Sequence, residues 1–288
     1  MPRVSAIVIT LNEEADLPRC LDSLAWADEI VVVDSGSTDR TVEIAEKRGA
    51  RVFVEAWKGY TEQKNSALEK TRGSWVVSLD ADEEFSSEAR ADLRRLLAED
   101  DPTVQAYALR RKVFFLGRWI THGDWYPDYV VRAWRRHAGR FEGGHVHESA
   151  RVKGTVKYLR SEILHYSFKS RSDHVARARK YADLWAQNQF EKGRPFIWSD
   201  RWFRPPLRFL RAYLLKAGWM DGWRGAWIAW VSTREVSWKY GRLAELWKMR
   251  KTGSGEAALP SAEGRSQRSR KLDAADIPRD DAGFRARV

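Results

Sequence analysis

The chain has 288 residues, a formal charge of +11 from 51 Lys and Arg against 40 Asp and Glu, and 15 tryptophans. A hydrophobic fraction of 43% is enough for a core, and the single cysteine, Cys20, excludes an intrachain disulfide or a thiolate metal cluster. The N-terminal MPRVSAIVITLNEE has no leader-like n-region, h-region and cleavage site, and the nine uncharged residues at 225–233 fall far short of the ~20 that span a bilayer. The chain is therefore expected not to cross a membrane, and a reducing cytosolic setting fits it. A basic chain rich in Trp suits an anionic partner: nucleic acid, a phospholipid surface or a phosphorylated substrate.

Residues 4–11 (VSAIVITL) form an apolar, β-branched run that predicts a buried strand, followed by a helix over 15–25. EIVVVD (29–34) predicts a second strand, and STDRTVEIAEKRG (37–49) a helix with Ser37 or Thr38 as N-cap and Gly49 as stop. RVFVE (51–55), a helix over 61–73 and SWVVSL (74–79) continue the alternation. Continuous apolar strands alternating with helices imply a parallel sheet covered on both faces, and ligands of such sheets sit at the carboxyl ends of the strands. From residue 104 the pattern turns to mixed strands over 104–115, 125–136, 141–152 and 155–166. From Ser172 it is helical, with Ser172 or Asp173 as cap and Gly193 as stop, and residues 196–250 hold eight of the Trp with eleven Lys and Arg against four acids. Residues 251–288, with one aromatic and much Ser, Gly, Ala and charge, read as a disordered tail.

The strand ends carry the chemistry. Thr10, Asn12 and Glu13 close the first strand, Asp34 the second, and Asp80, Asp82, Glu83 and Glu84 follow the fourth. Crowded carboxylates repel unless something positive lies between them. Asp-x-Asp after a buried strand can seat Mg²⁺ or Mn²⁺ together with substrate phosphates, and such a metal makes a diphosphate a better leaving group. Asp34 is placed to accept hydrogen bonds from a base or sugar hydroxyl, and Lys64 to reach a phosphate. The plainer reading of Glu83 and Glu84 is an acid-rich helix start favoured by the helix dipole, and Asp39 reads as a cap of the helix that follows it.

The ordered motifs T-L-N-E (10–13), V-V-D-S-G-S-T-D (32–39), Q-K-N-S-A (63–67) and L-D-A-D-E-E (79–84) resemble the family 2 glycosyltransferases over roughly residues 3–150. The resemblance implies an α/β fold of the GT-A, Rossmann-like type, a mostly parallel sheet with helices on both faces, plus a C-terminal helical membrane-surface appendage. It implies domains at 1–168 (catalytic), 169–250 (helical, membrane-associating) and 251–288 (tail). It also implies Mg²⁺ or Mn²⁺ and a UDP-sugar donor, with Asp34 on the uracil, Thr10, Asn12 and Glu13 lining the base and ribose pocket, and Lys64 where the family often has Arg. The Asp-x-Asp pair, Asp80 and Asp82, would contact the ribose and bind the metal, with Asp82 the direct ligand. His147 is a possible further ligand, and His145 reads as structural.

GDWYPDYVVRAWRR, FEGGHVHE and the Trp-rich 204–230 stretch are similar to the lipopolysaccharide core β-1,4-glucosyltransferase group. That similarity implies glucose transfer to a heptose of a lipid-linked oligosaccharide at the cytoplasmic face of the inner membrane. Inverting transfer needs a carboxylate to take the acceptor's proton. Asp128 is the first choice, Glu148 the second, and Asp124 is also available; the family's usual Glu-Asp pair is missing here. Trp223, Trp227 and Trp230 make a stripe, with Arg204, Arg208 and Arg211 on one face, as an interfacial helix would have. A polyprenyl phosphate or another surface glycan remains an alternative acceptor. From another class, a nucleic-acid-binding protein would suit the charge but not the acids at the strand ends; a phosphotransferase would carry Asp-x-Asp after its first strand.

Overall fold

The computed structural model describes residues 3–143, 148–168 and 170–252. The chain divides into two compact units, each taken by itself below. The expected tail lies outside the described residues from 253 onward, as do His145 and His147.

The first unit contains residues to Phe114 and Pro127–Ser167. Its elements are β1 (Val4–Thr10), α1 (Leu17–Leu24), β2 (Glu29–Asp34), α2 (Thr41–Lys47), β3 (Arg51–Val54), α3 (Tyr60–Glu69), β4 (Trp75–Ser78), β5 (Glu83–Phe85), α4 (Ser87–Glu99) and β6 (Ala106–Phe115). After β7 (Arg118–Trp119), which falls in the second unit, come β8 (Asp128–Arg135), β9 (Gly139–Glu142), β10 (Ser149–Val152) and β11 (Val156–Phe168). The sheet runs β3-β2-β1-β4-β8-β6-β11-β5. The first four strands are parallel. The other half is antiparallel where β4 meets β8, β8 meets β6 and β11 meets β5. The expected α/β sheet with helices on both faces is present, and it is mixed rather than mostly parallel.

Successive side chains of a strand face opposite sides, and here both sides are covered. Val4, Ala6 and Val8 of β1 join Leu17, Cys20 and Leu21 of α1 and Leu93 and Leu97 of α4 in one core. Ile7, with Val31 and Val33 of β2, packs with Ala67 and Leu68 of α3, Trp134 and Phe141 in the other. Burial on both faces is why β1, β2 and β4 are uninterrupted apolar runs. At Gly73, before β4, an added Cβ would lie 2.5 Å from the Arg3 carbonyl, so the tight entry into the strand requires glycine.

The second unit contains Phe115–Tyr126 and the chain from Phe168. The segment 115–126, expected in the catalytic domain, therefore belongs with the helices. The helices are α5 (Arg171–Glu191), α6 (Trp198–Phe209) and α7 (Gly222–Lys251), with a π-helical turn at Leu210–Leu215 and a 3₁₀ turn at Gly218–Asp221. Ser170, not Ser172 or Asp173, caps α5, its hydroxyl accepting from the Asp173 amide. α5 and α6 both pack on α7. Gly225 lies so close to Gly218 that a Cβ on it would meet the Gly218 carbonyl at 1.8 Å. The buried Asp221 carboxylate accepts from the backbone amides of Thr121 (3.1 Å) and His122 (2.8 Å), which fixes 115–126 in this unit.

Two expectations for this region change. Asp124 is fully enclosed by Arg208 (3.0 Å), Lys216 (3.3 Å) and Arg211 (3.7 Å), so two of the three arginines of the supposed basic face meet a buried carboxylate, while Arg204 pairs with Asp200. A carboxylate sealed among three cations is not open to an acceptor hydroxyl, and Asp124 is a structural anchor rather than a base. Trp227 packs against the Phe115–Ile120–Ile228 cluster, so it leaves the expected Trp stripe. No helix among the described residues is long and apolar enough to cross a membrane.

Candidate active site

The carboxyl ends of three adjacent parallel strands, β2, β1 and β4, form one edge of the first unit. Thr10 and Asp34 are register partners on β1 and β2, and the Thr10 hydroxyl donates to Asp34 at 2.8 Å. Asp34 is wholly buried, and its oxygens also accept from the Gly36 amide (2.9 Å), the Ser37 amide (2.8 Å) and the Ser37 hydroxyl (2.5 Å). It therefore shapes the loop after β2; direct contact with a base would require the Ser37 hydroxyl to move. Asn12, at φ 54, staples that loop to the end of β1 by accepting from the Thr38 amide at 2.8 Å. Asn tolerates this left-handed conformation better than most residues. The Glu13 amide donates to the Thr41 hydroxyl at 2.8 Å. Asp39 accepts from the Thr41 amide at 2.9 Å, but the N-cap of α2 is Arg40 rather than Asp39, Ser37 or Thr38. Burial works against the ionisation of Asp39, but hydrogen bonds from Thr41 and the Glu14 amide hold the carboxyl below its ordinary value.

The Asp80–Glu84 stretch is buried and tied to the sheet. Asp80 accepts from Lys64 Nζ and Arg132 Nη2, both at 2.8 Å. Burial alone would raise the Asp80 carboxyl; the charges of Arg132 and Lys64 overcome it and hold the group well below the usual carboxylate range. Glu83 opens β5 rather than a helix, is fully buried, and takes the Arg132 guanidinium at 2.7 Å with Arg111 at 3.8 Å. The reading of Glu83 as a solvated helix-start acid is therefore corrected; Ser86 caps α4 instead. Glu84 accepts from the Tyr166 hydroxyl at 2.8 Å. Asp82 is 2% exposed and faces His165 Nε2 at 3.4 Å. Burial lowers the His165 pKa and the Asp82 charge raises it; the charge wins. Burial, reinforced by Glu83, Asp80 and Asp82, pushes the Cys20 thiol up and leaves it a poor nucleophile.

The candidate bases separate by environment. Asp128, on the first residue of β8, accepts from Arg111 at 3.1 and 2.8 Å, and its side chain keeps 18% of its exposure. Glu148 is almost fully enclosed and accepts from Lys64 at 3.0 Å. Lys64 thus bridges Asp80 and Glu148, where the sequence suggested a phosphate contact. His147 lies outside the described residues, which contain no group of three His, Cys, Asp or Glu side chains placed to hold a metal. The donor chemistry still fits a hard cation at Asp82, a buried carboxylate two residues beyond Asp80 at the carboxyl end of β4, while both Asp80 oxygens face protein cations.

Sequence reading missed Arg111, Arg132 and His165. The signal for Arg111 was its place on the inward phase of the alternating strand β6, and for Arg132 its position between apolar neighbours in V-V-R-A-W. His165 carried no comparable signal, because its partner lies 83 residues away in sequence.

Residues 5–151 match the model of the family described as "Glycosyl transferase family 2". The chain is 34% identical over 229 residues to "Lipopolysaccharide core biosynthesis glycosyltransferase LpsC" of Rhizobium meliloti (strain 1021), covering 77% of this chain and 84% of that protein. The chain belongs to glycosyl transferase family 2. Among solved structures, S. aureus TarS covers 87% of this chain and 92% of its own at 16% identity, with a TM-score of 0.44. Glucosyl-3-phosphoglycerate synthase of Mycobacterium tuberculosis, solved with Mn²⁺, UDP and glucosyl-3-phosphoglycerate, covers 38% of this chain and 44% of its own at 27% identity, with a TM-score of 0.33. Neither score is high enough for the fold to be argued from it.

Proposed function

We propose that this glycosyltransferase moves a hexose, glucose in the first instance, from a UDP-sugar to a membrane-held acceptor in the heptose region of lipopolysaccharide core, with inversion at the anomeric carbon. The observation that carries the reading is the convergence of Thr10, Asp34 and Asp80–Asp82 on the carboxyl ends of three adjacent parallel strands, where such sheets bind ligands. The acceptor is proposed on the strength of LpsC, whose description names lipopolysaccharide core biosynthesis. Asp34 shapes the nucleotide loop, Thr10, Asn12 and Glu13 line it, and Asp80, held ionised by Lys64 and Arg132, faces the ribose.

Asp82 would hold Mg²⁺ or Mn²⁺, which when bound offsets the charge of the diphosphate and improves it as a leaving group. Asp128, oriented by Arg111, takes the proton of the acceptor hydroxyl as that oxygen attacks the anomeric carbon. Glu148 is the alternative base. The work would be done at the cytoplasmic face of the inner membrane, with the exposed apolar side of α6 as the contact.

Calorimetric titration with UDP, UDP-glucose, UDP-galactose and GDP-mannose, with and without Mn²⁺, tests the donor site. Metal-dependent binding of UDP and one UDP-sugar is expected, and Asp82→Asn should lose both the metal dependence and transfer while keeping its fold. Absence of nucleotide binding under every condition would overturn the reading.

A further inference from the structure

The second unit contains a groove of about 660 Å³ bounded by α5, α6 and α7, and its chemistry is unlike that of an ordinary interhelical seam. Four guanidiniums, Arg179, Arg201, Arg234 and Arg242, line it against two carboxylates, Asp183 and Glu245. Arg242 and Glu245 satisfy one another at 2.9 Å. Among the described residues, Arg179, Arg201 and Arg234 have no carboxylate within ion-pair distance. They face the groove from three helices, α5, α6 and α7, and with four guanidiniums against the carboxylates of Asp183 and Glu245 the lining is net positive. Its volume falls within the ~300–1,000 Å³ usual for ligand sites.

The wall between the charges is aromatic. Trp238 lies with the Arg179 guanidinium 5.6 Å and the Arg234 guanidinium 5.7 Å from its ring, and Trp202, 60% exposed, lines the same groove. At Gly241 an added Cβ would meet nothing within 4 Å, so the missing side chain leaves the floor open. Guanidiniums present planar donor pairs that match phosphate and carboxylate oxygens, and indole faces offer a flat apolar surface to the C–H side of a pyranose ring.

We propose that this groove binds a phosphate- or carboxylate-bearing saccharide, the anionic part of a glycan acceptor. The proposal rests on the reading of the chain as a glycosyltransferase of a membrane-held glycan, and it adds a second binding site, in the helical unit, to the nucleotide site of the first.

The test is saturation-transfer NMR on the full chain with glucose 6-phosphate as probe, glucose and inorganic phosphate as separate arms, and UDP titrated in parallel. Glucose 6-phosphate should receive saturation on its ring protons, glucose much less. Arg179→Gln with Arg234→Gln should weaken glucose 6-phosphate binding by about fivefold or more and leave UDP affinity unchanged. Both residues are exposed, so the double variant should fold. An unchanged signal in the double variant, or no signal in the wild type, would overturn the proposal. So would complete displacement by equimolar inorganic phosphate, which would mean a site for any small anion. Loss of UDP binding in the wild type would instead remove the donor-site reading and leave the groove's result standing.

Discussion

Arg132 is 6% exposed, and one of its nitrogens reaches both Asp80 and Glu83. Removing one partner of a buried ionic network leaves the others charged and without compensation, which costs about 3–5 kcal/mol, far more than the intact network adds over an apolar replacement. Arg132→Met is therefore expected to lower the urea midpoint, followed by circular dichroism, by that order of free energy, with Arg132→Lys recovering part of the loss. An unchanged midpoint in Arg132→Met would mean that the network carries no stability. The same residues answer why four acids crowd one turn: the protein itself supplies Lys64, Arg132 and Arg111 between them, before any metal or substrate arrives. The acids were legible because they stand together in D-A-D-E-E. Lys64 was legible in Q-K-N-S-A, though its partners were not; Arg111 and Arg132 were missed because each comes from a different strand, far in sequence from the acids.

Among the elements, α5 holds a pH-sensitive contact. His174, near its start, is 5% exposed and ringed by Phe115, Trp125 and Phe168 at centroid distances of 5.4, 5.0 and 4.9 Å. Burial pushes its pKa down to about 4, outweighing the opposing pull of Asp173, with Arg177 adding to the depression. Below pH ~6.5 the unfolded chain takes up a proton that the folded histidine refuses, so stability falls as pH drops from there toward 4, by about 3 kcal/mol. Other groups titrate in this range as well, so the measurement is the difference between wild type and His174→Phe in urea midpoints from pH 7.5 to 4.5. The stability of His174→Phe relative to wild type should rise as pH falls, because only the wild type loses this contribution; a pH-independent difference would show that the ring is not held neutral.

Element legibility follows the same physics. β1, β2 and β4 were plain because burial on both faces leaves an unbroken apolar run. β5 was hidden because its acids mimic a helix start and its pairing partner, β11, lies far along the chain. The stretch of α6 was read as helical, but its bounds were not, because Pro205 and Pro206 lie inside it and a π-helical turn follows it.

For the whole molecule, the remaining question is where a chain of charge +11 meets its partner. The outward side of α6 and its continuation reverses the usual pattern of a surface helix. Phe203, Leu207, Leu210 and Leu214, spaced at 4, 3 and 4 residues, are 63%, 61%, 43% and 53% exposed. Pro205 and Ala212 are buried, and Arg208 turns inward onto Asp124. The apolar stripe was expected on Trp223, Trp227 and Trp230, where i, i+4, i+7 spacing suggested it. That spacing cannot say which side of a helix its neighbours cover, and Trp227 is covered. An apolar stripe on a basic chain without a spanning helix suits the interface of an anionic bilayer, where basic residues near the surface add ~1 kcal/mol each. Phe203→Ser, Leu207→Ser and Leu214→Ser combined should weaken co-sedimentation with phosphatidylglycerol vesicles by about tenfold or more, since ~1.4 kcal/mol already corresponds to that factor. These residues lie outside both the nucleotide site and the groove, so UDP affinity should not change. Binding to phosphatidylcholine vesicles should be weak for both proteins, because the charge term is then absent. Undiminished sedimentation of the triple variant with anionic vesicles would move the membrane contact to another face of the chain.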